Sequence, residues 1–160
     1  MVTKGFTTCL WFDGNAEEAA DFYLSVFKDG TLGRIGRYTE AGPGPAGEVM
    51  VVEFEVNGQK FIGLNGGPQF PFTEAVSFQI HCADQAEADH YWAELTRDGG
   101  QEVACGWLKD KFGVSWQVTP VEAIELIADP DPERAARATT AMLGMKKLDV
   151  AAMRRAADGG

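Results

Sequence analysis

Two stretches of the chain alternate apolar and polar positions and then change to helical spacing, and they do so in the same order. The run Phe6-Thr7-Thr8-Cys9-Leu10-Trp11-Phe12 leads through Asp13-Gly14 into Asn15-Ala16-Glu17-Glu18. The run Val76-Ser77-Phe78-Gln79-Ile80-His81-Cys82 leads into Asp84-Gln85-Ala86-Glu87. Each start places an Asx residue three positions before a glutamate, an N-cap pattern that satisfies first-turn amides and sets negative charge at the positive helix end. The bodies repeat too: Ala19, Phe22, Tyr23 and Val26 in the first, Ala88, Tyr91, Trp92 and Leu95 in the second. That i, i+3, i+4, i+7 spacing marks one buried helix face. Asp29-Gly30 and Asp98-Gly99-Gly100 predict the stops.

Strand patterns follow each helix. The first set falls near Leu32–Tyr38, Glu48–Val56 and Lys60–Asn65, with Asn57-Gly58 as a two-residue hairpin turn. A Gly- and Pro-rich loop runs from Glu40 to Gly47. The second set is shorter, near Glu102–Cys105, Trp107–Lys109 and Val114–Thr119, with a turn over Asp110–Gly113. Each half reads β-α-β-β-β, about 1–66 and 74–120, joined by Gly66–Thr73. A repeat of this kind is the strongest clue to architecture. It predicts an α+β fold of tandem βαβββ modules forming a cupped mixed sheet over residues 1–120. Residues 121–160 form a C-terminal helical extension of the same domain. There Asp131 caps a helix with Pro132 in its first turn, Ala135, Ala138, Met142 and Met145 form a stripe, and a short helix begins near Asp149.

At 160 residues, 45% hydrophobic and 24% charged, the chain is of single-domain size and globular composition. The formal charge of −10 argues against a nucleic-acid partner, since such binding rests on phosphate neutralisation by Lys and Arg. Lys146-Lys147 and Arg154-Arg155 read as solvated helix faces. No apolar run is long enough to cross a membrane, and Met1–Gly5 lacks the apolar stretch of a secretory signal, so no membrane partner and a cytoplasmic setting are expected. Cys9, Cys82 and Cys105 show no metal-knuckle spacing and read as buried or pocket-edge thiols.

Three segments carry a family resemblance: Cys9-Leu10-Trp11-Phe12-Asp13-Gly14-Asn15-Ala16-Glu17-Glu18-Ala19, Leu64-Asn65-Gly66-Gly67-Pro68, and Cys105 through Gln117. The chain resembles the PhnB-like members of the vicinal-oxygen-chelate superfamily, the glyoxalase, bleomycin-resistance and dioxygenase group, which are often labelled 3-demethylubiquinone-9 3-methyltransferase. The resemblance implies the glyoxalase/bleomycin-resistance fold, a homodimer and a small-molecule pocket. The label's methyltransferase activity has no support in the strand pattern. A nucleotide-type methyltransferase needs a Gly-rich turn after a parallel strand, and prolines interrupt Gly42-Pro43-Gly44.

In metal-using relatives, four ligands come from inward-facing positions on the first and last strand of each module. As aligned here those positions hold Thr7, Asn65, Ser77 and Gln117. Strand alternation turns Leu10 and Phe12 toward the helix and Thr7, Cys9 and Trp11 away from it. By the same count Gly63 and Asn65, then Ser77, Gln79 and His81, then Ser115, Gln117 and Thr119 face the cup, while Phe78 and Trp116 face the helix. None of the four aligned residues is ionised at neutral pH, so no cofactor is expected and a divalent metal is disfavoured. His81 is the candidate general base, or a structural residue; His90 is expected to be exposed. Trp11, Phe70, Phe72, Trp107 and Phe112, with Asn65, Gln79 and Gln117, suit an apolar pocket with orienting hydrogen bonds, or plain core packing. Lys109, Asp110 and Lys111 read as a turn, with contact to a ligand at the pocket rim as the lesser alternative. The missing ligand set favours a binding protein over a metal-dependent or His-assisted isomerase, lyase or dioxygenase. A scaffold would have its cup filled by side chains.

Overall fold

A computed structural model describes residues 5–160, and the chain divides into two compact units, Met1–Pro71 and Phe72–Gly160. The first unit is one βαβββ module: β1 (Thr8–Phe12), α1 (Ala16–Val26), β2 (Gly30–Arg37), β3 (Val49–Val56) and β4 (Gln59–Asn65). Its sheet runs β1-β4-β3-β2, with β1 parallel to β4 and the other pairs antiparallel. The hairpin between β3 and β4 forms where the sequence places Asn57-Gly58, because both residues take the left-handed φ (49° and 76°) that a tight hairpin turn requires.

Ala19, Phe22, Tyr23 and Val26 of α1 are buried, as their spacing predicts, against a sheet face carrying Leu10, Phe12, Val52, Phe54 and Phe61. Tyr23 and Phe61 stack on Phe54 with centroids 5.9 and 5.3 Å away. Each such ring contributes about 1.5–3 kcal/mol by burial. The helix starts differently from expectation. The Asn15 side chain makes no cap; Asn65 Oδ1, at the end of β4, accepts the Ala16 N–H at 2.9 Å, and Asn65 Nδ2 donates to the Val49 carbonyl at 3.1 Å. The stop also differs: α1 ends at Val26 with Phe27 as its C-cap, and Gly30 opens β2.

The second unit repeats the module with β5 (Ser77–Cys82), α2 (Gln85–Thr96), β6 (Gln101–Glu102), β7 (Trp107–Lys109) and β8 (Ser115–Pro120), its sheet ordered β5-β8-β7-β6. Again the first and last strands are parallel. Ala88, Tyr91, Trp92 and Leu95 are buried, and Asp84 caps α2 by accepting the Glu87 N–H at 2.9 Å. His90, expected to be exposed, is half-buried, its ring edge-on to Tyr91 at 5.2 Å. β6 is shorter than its pattern predicts. The chain turns left-handed at Cys105 and Gly106 (φ 56° and 82°), and their N–H groups donate to the carbonyls of Met145 and Lys146.

That exchange ties the C-terminal helices α3 (Val121–Ile127), α4 (Pro132–Leu143) and α5 (Val150–Ala157) into the second unit. Ala123, Leu126, Ala138, Leu148, Met153 and Ala157 form a small core of their own. Gln85 at the start of α2 clamps the entry to α5, donating to the Leu148 carbonyl and accepting the Val150 N–H, each at 2.9 Å. Lys146 and Lys147 lie in the turn between α4 and α5 rather than on a helix, and Lys147 pairs with Asp89 at 2.8 Å. Among the described residues no helix is long and apolar enough to cross a membrane.

Candidate functional site

In each unit one sheet face packs under the module helix, and the expected site residues were assigned to the other. In the first unit, register puts Cys9 beside Ile62 and Glu53, and Trp11 beside Leu64 and Val51, on the face away from α1. A further row runs Thr31, Glu55, Lys60, with Thr7 just before β1. This face carries a pocket of about 500 Å³ lined by Thr7, Thr31, Glu53, Glu55, Lys60 and Ile62 among others. Glu53 is held by Arg34 at 3.1 Å. Trp11 is fixed beside this face: its indole Nε1 donates to the Gly67 carbonyl at 2.8 Å, and Phe70 meets it edge-on at 4.9 Å. Gly66 is required there, since a Cβ would collide with the indole ring. Phe70 is itself 63% exposed. Cys9 is exposed overall, and desolvation against the sheet raises its thiol pKa above the ordinary value.

The expected cup-facing assignment of Gly63 and Asn65 is corrected by the register. Gly63 pairs with Leu10 and Asn65 with Phe12, so both lie on the helix face, where a Cβ on Gly63 would sit 3.1 Å from that of Ala16. Asn65 is a helix-capping residue. The last-strand position that matches Gln117 is Ile62: Gln117 pairs with Gln79, and Cys9, the repeat equivalent of Gln79, pairs with Ile62.

In the second unit the expected parity holds. Ser77 pairs with Ser115, Gln79 with Gln117 and His81 with Thr119, all on the face away from α2, and Trp107 and Lys109 extend the rows from β7. Gln117 Nε2 donates to Ser77 Oγ at 2.9 Å and Gln79 Nε2 to Thr119 Oγ1 at 3.4 Å. Ser115 Oγ, in contrast, is buried without a partner. His81 and Gln79 are exposed; Ser77, Gln117 and Trp107 are half-buried. Phe112 lies within the Asp110–Gly113 turn and Phe72 beside it: a Cβ on Gly113 would lie 3.8 Å from Phe72, and the Lys111 ammonium stands 5.3 Å from the Phe112 ring centre. Lys109 pairs with Glu74, and that hydrogen bond holds the Glu74 carboxyl below its ordinary pKa.

Asp110 stands in the expected turn but is buried (3% exposed) and structural. Its Oδ1 accepts the N–H groups of Phe112 and Val114 at 2.9 and 3.1 Å, and its Oδ2 accepts the Trp116 indole N–H at 2.9 Å. Glu53, Glu55 and Lys60 were missed as pocket residues. Their alternation in Val52-Glu53-Phe54-Glu55-Val56, apolar on one face and charged on the other, is the signal that marks them.

The metal-binding chemistry of the wider superfamily can be tested on these side chains. By register the four ligand positions hold Thr7, Ile62, Ser77 and Gln117, and neutral hydroxyl, amide and alkyl groups do not fit a dehydrated divalent cation. Among the described residues no three His, Cys, Asp or Glu side chains stand together as a metal site.

A family model described as 3-demethylubiquinone-9 3-methyltransferase matches residues 4–119. The chain belongs to that family. A PhnB protein of Bacillus cereus carrying the same description is 37% identical over 74% of this chain and 100% of its own, with a TM-score of 0.66. A protein of Pseudomonas aeruginosa is 22% identical over 71% of this chain and 95% of its own, with a TM-score of 0.58. A glyoxylase/bleomycin resistance protein/dioxygenase domain of Frankia sp. EAN1pec is 13% identical over 72% and 95%, with a TM-score of 0.48. No protein of curated function matches. The family match ends before α3, so all three C-terminal helices lie outside it. Gly42-Pro43-Gly44 connects the antiparallel strands β2 and β3 and does not lead a parallel strand into a helix, so it is not the Gly-rich turn of a nucleotide-type methyltransferase.

Proposed function

We propose that this family member is a small-molecule-binding protein whose site works without a catalytic divalent metal. The observation that carries the reading is the state of Gln117. It occupies the last-strand position where metal-using relatives place a ligand, its amide is tied to Ser77, and its counterpart in the first module is Ile62. A ligand on the second sheet is then held by apolar contact with Trp107 and by hydrogen bonds from Gln79 and Gln117, and one on the first sheet by contact with Trp11 and Ile62 and a hydrogen bond from Thr7. His81, exposed beside Thr119 on the same face, supports a second reading in which it performs an acid–base step in an isomerase, lyase or dioxygenase.

Metal analysis of protein purified without chelators separates the two classes. Substoichiometric metal is the expected result, and one bound divalent ion per chain would overturn the reading. Gln117→Glu keeps side-chain length and adds a carboxylate; it should raise divalent-metal affinity by about tenfold or more if the ligand geometry survives. We also propose a cytoplasmic homodimer. Its support is the resemblance to a superfamily whose members commonly pair. Light scattering at micromolar concentration should give twice the 17.3 kDa chain mass, and a monomeric mass would count against pairing.

A further inference from the structure

We propose that the pocket on the first sheet takes a small zwitterion, its ammonium group set against Glu55 and its acid group against Lys60. The inference deepens the small-molecule reading and rests on it. Glu55 and Lys60 are direct partners across the antiparallel β3–β4 ladder, on the face away from α1, and both line the pocket. Opposite charges so placed have Cβ atoms about 5 Å apart, within reach of an ion pair. Here they do not form one. Among the described residues neither side chain has an ion-pair or hydrogen-bond partner, whereas the neighbouring Glu53 is closed by Arg34 at 3.1 Å. The second module shows the contrast: Lys109, which pairs with Ser115 as Glu55 pairs with Lys60, is closed by Glu74.

An exposed ion pair contributes only about 0–1 kcal/mol, so holding these two charges apart costs little, and a molecule offering both charges satisfies both at once. The rest of the lining suits such a guest. Thr31 and Thr7 place hydroxyls at the two ends of the charged row, and Ile62 supplies an apolar patch for a short carbon chain. The volume of about 500 Å³ is that of a small-molecule site. With Arg34 already engaged by Glu53, Lys60 is, among the described residues lining the pocket, the cation left to meet an acid group.

The test uses the full chain, isotopically labelled, titrated with glycine, β-alanine, γ-aminobutyrate and 5-aminovalerate while backbone amide shifts are recorded. At least one member should give saturable shifts at Thr7, Thr31, Glu55 and Lys60, binding about tenfold or more tightly than the alkylamine or the carboxylate of the same length. Glu55→Gln and Lys60→Met should each weaken that binding about tenfold, and the exchange Glu55→Lys with Lys60→Glu should restore most of it. Equal binding of singly charged analogues would overturn the proposal, as would absence of saturable shifts across the series. Shifts centred on Ser77, Gln79 and Gln117 would overturn it too while leaving the small-molecule reading intact. Stoichiometric metal would strike the metal-free reading without touching these shifts.

Discussion

The two modules have the same strand order and the same buried helix face, yet α1 and α2 start on different devices. α2 is capped from its own chain neighbourhood by Asp84, while α1 is capped from the far end of its sheet by Asn65. The last hairpins differ as well. In the first module two left-handed residues, Asn57 and Gly58, set the turn by their backbone conformation. In the second, the buried carboxylate of Asp110 gathers three N–H groups. The first unit therefore closes its module by long-range contact between strand end and helix start, and the second by local polar knots. The same backbone plan tolerates either solution because what it demands is that first-turn amides and turn amides find acceptors, not which residue supplies them.

The largest expected effect tests the second unit's knot. Asp110→Ala leaves two backbone N–H groups and an indole N–H without acceptors in a buried site, and should lower stability by about 3 kcal/mol. Asn57→Ala, in the matching turn of the first module, keeps the backbone N–H bond to the Asp29 carbonyl and should cost about 1 kcal/mol, through left-handed strain. Denaturant unfolding of the two variants measures the contrast. A loss below that of Asn57→Ala would show that the carboxylate is not what holds the β7–β8 turn.

A smaller effect tests the caps. Asn65→Ala removes the acceptor for Ala16 and the donor to Val49, and should cost about 1–2 kcal/mol; Asp84→Ala should cost about 1. Asn15→Ala, despite standing at the N-cap position, should change stability by less than about 0.5 kcal/mol, because its side chain bonds nothing there. If Asn15→Ala proved the more damaging of the two asparagine changes, the long-range cap would be wrong.

These cases also show what the residue pattern alone could reveal. The helix faces were legible because Ala19, Phe22, Tyr23, Val26 and their repeats obey one period with few exceptions, and the Asn57-Gly58 hairpin because few dipeptides accept two left-handed residues. The direction of Asn65 was not legible. In Phe61-Ile62-Gly63-Leu64-Asn65 both faces are apolar and the middle residue has no side chain, so parity is silent until pairing with β1 is known. Asp110 was hidden for the opposite reason: flanked by Lys109 and Lys111 it has the composition of a solvated turn, and only tertiary contact shows Trp116 reaching back to it. On the face away from α2, Ser77, Gln79, His81 and Gln117 could be placed, since the alternating Phe78, Ile80 and Cys82 are apolar and set the register.

The smallest effect separates the modules by a thiol. Cys82 takes the helix-face place in β5 that Phe12 takes in β1, is fully buried, and burial, aided by the nearby Glu87 charge, pushes its pKa up to about 12. The folded-state value is raised above the ordinary 9.0, so the stability it contributes is complete below about pH 9 and is lost as pH rises toward 12. An unfolded chain gives up this proton first, and unfolding is favoured by about 1 kcal/mol near pH 10. Denaturant midpoints measured from about pH 8 to pH 10 should fall in the wild type and flatten in Cys82→Ala by that amount. Thiol labelling gives the same contrast by rate. Cys9, exposed on the first sheet, should react in the folded protein, and Cys82 only as the second module opens, so equal labelling rates for the two would mean that Cys82 is not sealed beneath α2.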